Sequence, residues 1–162
     1  MGAISALESS RWLVILHAAI GEIGVLFFLW VLMELINKNK KSYIRAKWIS
    51  FSGVILLFIN WFLSGYYYSI SYRNFAEPAI KNSNFTWVSN IIMETKVDIF
   101  KFIPILALFA FIAILSFPRW SSDNKIPRKP IYAICILIVF LGFVMVSFGY
   151  IASATVRSNF IN

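Results

Sequence analysis

An all-α integral membrane protein, a four-transmembrane-helix antiparallel bundle, is what this sequence predicts, and three observations predict it. Four apolar runs, at residues 12–36, 48–70, 98–117 and 131–154, are each long enough to cross a hydrocarbon core of roughly 30 Å, which takes about 20 helical residues. The composition is 60% hydrophobic and only 14% charged, with mean hydropathy +0.77, which is too apolar for a soluble domain. Finally, the cationic residues are gathered into two short connections between the runs, as in multi-pass proteins. Residues 1–162 are read as one four-span membrane domain.

The formal net charge of +8 raises the question of a nucleic-acid partner. Its distribution answers no. Lys38, Lys40, Lys41, Arg45 and Lys47 fill the connection 37–47, and Arg119, Lys125, Arg128 and Lys129 fill the connection 118–130 against the single acid Asp123. Both segments are short, split and juxtamembrane, so the charge orients the chain and attracts anionic lipid headgroups. By the positive-inside rule the two basic connections face the cytoplasm, which places both termini and the long connection 72–97 outside the cell membrane. The bilayer is therefore the first expected partner.

The first run enters the membrane at Arg11 and Trp12, a charged and aromatic interface pair. At 1.5 Å per residue, His17, the chain's only histidine, lies roughly 9 Å below the outer surface and Glu22 roughly 16 Å below it. Ala18, Gly21 and Gly24 stand near His17 and allow close helix approach, so His17 is expected to face the bundle. Glu22 is about 140° around the helix from His17, so the two do not share a face. An ionised carboxylate facing lipid costs several kcal/mol, which leaves Glu22 neutral, paired inside the bundle or turned toward a partner subunit. Glu34, at the inner interface, has Lys38 four residues later in the favourable order for a surface pair.

In the second run Gly53, Asn60, Ser64, Tyr67 and Ser71 recur at helical spacing as one small and polar stripe, which must face protein. Tyr66, Tyr67 and Tyr68 reach the outer aromatic belt. The connection 72–97 is longer than a plain link needs and is read as lying on the surface or capping the bundle. Helical pattern resumes near Asn90, which sets Glu94, Asp98 and Lys101 on adjacent turns entering the third run. Pro104 predicts a kink or irregular turn there. In the fourth run Cys135, Gly142, Gly149 and Ser153 read as a packing seam, with Val139 and Val146 between. A single cysteine forms neither an internal disulfide nor a cysteine-based metal cluster.

Laid side by side, the runs collect their polar side chains in the outer half. Two functional readings follow. In the first, these groups hydrogen-bond helices to one another and to neighbouring chains. The chain is then a non-catalytic integral membrane subunit of a larger complex, respiratory or oxygenase-like, packing and stabilising other membrane subunits. The alternative is a small redox or ligand-binding membrane protein with an outer-half site around His17. There His17, Asn60 and Tyr67 would hold a quinone or other cofactor, or His17, Glu94 and Asp98 a metal. A haem would need Met93, Met145 or a second chain as the other axial ligand. Glu22 stands apart as an intramembrane carboxylate. No nucleophile motif, zinc-protease helix or phosphate loop is present, so the chain is not expected to be catalytic by itself.

Overall fold

The computed structural model describes residues 2–37, 40–82, 85–116 and 129–161. The chain forms four long apolar helices packed as a bundle, each of the length and composition of a membrane span. Helix α1 runs Gly2–Ile36, α2 Lys40–Tyr67, the short α3 Glu77–Lys81, α4 Glu94–Ser116 and α5 Lys129–Ile161. The membrane-crossing stretches are Trp12–Ile36, Lys40–Asn74, Val88–Ser116 and Lys129–Ser158. The four expected runs lie within these, except for residue 117, which is outside the described residues. Most of the basic connection 118–130 is also outside them, with only Lys129 and Pro130 described.

The helices are arranged in a ring: α1 packs on α2 and α5, and α4 packs on the same two. One core holds them, centred on Phe28, Val31, Leu57, Ala107, Ile114 and Ile138. Small residues decide how closely the helices approach, since lipid removes most of the hydrophobic drive for helices to associate. A Cβ at Gly142 would stand 2.6 Å and 2.7 Å from the two γ-carbons of Val25, so α5 meets α1 on bare backbone. Gly53 receives the Phe28 ring in the same way, its absent Cβ being 2.9 Å from Cε2.

The basic end of the bundle, where α1 turns into α2, is tied by polar bonds. Arg45 donates to Glu34 through Nε to Oε1 and Nη2 to Oε2, both at 2.8 Å. The Trp30 indole N–H adds a third donor to Glu34 Oε1 at 3.3 Å. This corrects the expected Glu34–Lys38 surface pair. Glu34 is 8% exposed and is gripped across the hairpin, and Lys38 lies outside the described residues. The planar guanidinium fork of arginine matches a carboxylate with two parallel bonds, which an ammonium cannot do. At the same end Tyr43 donates to the Ile114 carbonyl at 2.9 Å and Tyr132 to the Leu35 carbonyl at 2.6 Å.

The opposite end is capped by the connection between α2 and α4. From Tyr68 to Ala76 the chain continues as a π-helix, α3 follows with Pro78 in its first turn, and Val88–Met93 is π-helical again. Tyr72, Ala76, Ile80, Val88 and Met93 turn inward and bury themselves with Ala152 of α5. The long connection therefore caps the bundle. Helix α4 continues as α-helix through Pro104, without the irregular turn expected there. The α5 seam also differs from its reading: Cys135, Gly142, Met145, Ala152 and Thr155 are buried, while Val146 and Ser153 are exposed. Ile131, Ile138, Met145 and Ala152 are buried at a spacing of seven, so the seam keeps its period and it is the register through Val139 and Val146 that turns outward.

Candidate functional site at the capped end

The α1–α2 contact positions the first three polar groups. His17, Gly21 and Gly24 come one helical turn apart on the face that α1 turns to α2. Opposite them, α2 presents Tyr67, Asn60 and Leu57 in antiparallel order. The His17 and Tyr67 rings meet with centroids 6.2 Å apart and planes inclined at 56°. Gly21 makes room for Asn60: a Cβ there would lie 2.5 Å from Asn60 Nδ2. Asn60 is consequently 5% exposed, and its Oδ1 is buried with no hydrogen-bond partner among the described residues. The stripe faces protein as its spacing requires, with Gly53, Asn60 and Ser71 buried and Ser64 and Tyr67 partly so.

A fourth group comes from α4. Lys96 turns inward, its Nζ 3.2 Å from where a Cβ on Gly149 of α5 would be, and its charge bears on His17. It makes no ion pair among the described residues. Sequence reasoning missed it. A lysine two residues from each of two acids reads as part of a charged helix end, yet two residues are about 200° of helix. That rotation puts Glu94 and Asp98 on the outer face and Lys96 on the inner one. Glu94 is exposed. The Asp98 side chain is 72% exposed and accepts from Lys101 Nζ at 3.0 Å.

His17, Asn60, Tyr67 and Lys96 thus share one end of the bundle interior. His17, Glu94 and Asp98 are not gathered, and no three His, Cys, Asp or Glu side chains form a metal-holding group among the described residues. Met93 belongs to the cap cluster and Met145 to the main core. Cys135 is fully buried among core side chains.

Glu22 stands outside this group. It is exposed on the outward side of α1, about 15 Å in from Trp12. Exposed Ile15, Ile23 and Leu26 surround it on that side, together with Ala19. Comparison with family models, with curated proteins and with solved structures finds no match. Function must be read from the chemistry of these side chains.

Proposed function

We propose that this four-span protein is a non-catalytic subunit of a larger membrane complex, which it joins through the outward face of α1. Glu22 is the observation that carries the reading. A carboxylate at mid-depth on a lipid-facing helix costs several kcal/mol in ionised form, and no ion pair among the described residues offsets that cost, because the side chain faces away from the bundle. A partner helix with a Lys, Arg, Asn or Gln at the same depth offsets it by an interhelical hydrogen bond or ion pair. Ala19 next to Glu22 leaves space for such an approach, and α1 is the least buried of the four spans. In this reading the basic connections face the cytoplasm and the cap faces outward.

The test is mild detergent extraction from the native membrane and native mass determination of the peak containing the chain. A stoichiometric complex well above the 18.6 kDa of one chain, lost on Glu22→Leu and retained in part on Glu22→Gln, is expected. A lone chain, or a complex indifferent to both substitutions, overturns the reading.

A further inference from the structure

The polar groups at the capped end leave hydrogen-bonding capacity of both kinds open. Asn60 Oδ1 is an acceptor without a donor among the described residues, a costly state inside a bilayer where no bulk water compensates. His17 supplies a second acceptor. Its Nδ1 lies 3.3 Å from the Val14 carbonyl, and a carbonyl only accepts, so this contact puts the ring proton on Nδ1 and the lone pair on Nε2. On the donor side stand the Lys96 ammonium, without an ion-pair partner among the described residues, and the Tyr67 hydroxyl.

The electrostatics choose among ligand classes. The Lys96 charge bears on His17, while the two acids of the same helix turn are on its outer face. A metal cation on His17 Nε2 meets that positive charge with no carboxylate to balance it, and the repulsion is strong in a low-dielectric interior. A ligand bearing oxygen, neutral or anionic, meets attraction instead. To use the open acceptors as well, it must carry a hydroxyl.

We propose that His17, Asn60, Tyr67 and Lys96 bind the headgroup of a lipid-soluble quinone. In the oxidised form a ring carbonyl accepts from Lys96 or Tyr67. The reduced form has hydroxyls that donate to Asn60 Oδ1 or His17 Nε2, which the oxidised form cannot do. Binding is the whole of the proposal, with no electron transfer assigned. Gly149 and Gly21 contribute by lacking a Cβ, so Lys96 and Asn60 keep their polar ends against bare backbone inside the bundle. The two π-helical stretches bracket the site: one begins directly after Tyr67 and the other ends three residues before Lys96. Such wide turns in otherwise α-helical segments occur frequently at functional sites.

The proposal stands apart from the subunit reading, since Glu22 and the capped-end group are on different faces of α1. It is tested with the purified full chain in lipid nanodiscs, using a decyl-tailed benzoquinone and its quinol as probes. Both are expected to quench tryptophan fluorescence saturably. Lys96→Gln is expected to raise the Kd of the quinone at least tenfold, and Asn60→Leu that of the quinol, with Glu94→Gln and Asp98→Asn without effect. Because a buried variant can fail to fold, the wild-type chain provides a second measurement. Bound quinone is expected to slow acylation of Lys96 by an amine reagent, read by mass spectrometry, while exposed Lys101 reacts at an unchanged rate. Absence of saturable quenching in the wild type overturns the proposal. So does equal labelling of Lys96 with and without quinone, or protection of Lys96 by acetate but not by quinone.

Discussion

Arg45 holds Glu34 by two hydrogen bonds of 2.8 Å across the α1–α2 hairpin, and Ser42 Oγ lies 3.1 Å from the same Nη2. Removing one partner of such a pair leaves the other charge uncompensated, whereas replacing both by apolar groups is often tolerated. Arg45→Met is expected to lower the thermal unfolding midpoint in detergent by several degrees. Arg45→Lys is expected to fall between it and the wild type, and the double variant Glu34→Leu with Arg45→Met to recover most of the loss. A double variant no more stable than Arg45→Met contradicts the account.

Glycine positions on the helices separate into those in tight contact and those in open space. Gly142→Ala forces a methyl into Val25, and overpacking of this kind costs about 1–3 kcal/mol. Val25→Ala in the same chain is expected to relieve it. Gly65 has no atom within 4 Å of its absent Cβ. Gly65→Ala is therefore expected to leave stability unchanged or raise it slightly, through helix propensity alone. Urea or SDS titration followed by circular dichroism checks all four chains.

The cap carries an ion pair that can be switched by pH. Lys81 Nζ is 2.7 Å from Glu77 Oε1, and this bond raises the Lys81 pKa above the ordinary 10.5. A group with a raised folded pKa contributes its stability below the unfolded value and loses it as pH climbs through the folded one. Amide exchange in Glu77–Asn82, corrected for its intrinsic pH dependence, is thus expected to keep constant protection from pH 7 to about 9 and to lose it only in strongly alkaline buffer. Lys81→Met removes that dependence, and a cap that loosens near pH 7 in the wild type argues against the pair.

Accessibility reports orientation. Asn82→Cys, at the exposed C-terminal end of α3, is expected to react with an impermeant maleimide on intact cells. Lys40→Cys, at the basic end, is expected to react only after permeabilisation. Native Cys135, with no exposed surface, stays unlabelled in both. Reaction of Lys40→Cys on intact cells reverses the orientation read from the basic connections.

The spans were legible because their signal is cumulative: about 20 apolar residues leave few alternatives. The α2 stripe was legible too, since five small or polar residues at helical spacing specify a face. What the sequence did not disclose depends on rotation and reach. Lys96 and its neighbours Glu94 and Asp98 look alike in one dimension, and only the phase of α4 divides them. Glu34 has a nearer basic residue in sequence, Lys38, than the one it binds, because Arg45 reaches back from the next helix. The open valence of Asn60 Oδ1 appears only once the helices around it are in place.

The tyrosine bonds of the basic end set the mechanics of the bundle. Tyr43 links α2 to α4, Tyr132 links α5 to α1, and the Arg45 fork links α1 to α2. All three fasteners lie at one end, while the other is closed by apolar contacts of the cap, which resist shear less than directed bonds do. The molecule is thus fastened like a clothes peg, and is expected to be stiffer at the spring than at the jaws. A molecule entering from the bilayer is then expected to pass between the jaws, the end that holds His17, Asn60, Tyr67 and Lys96.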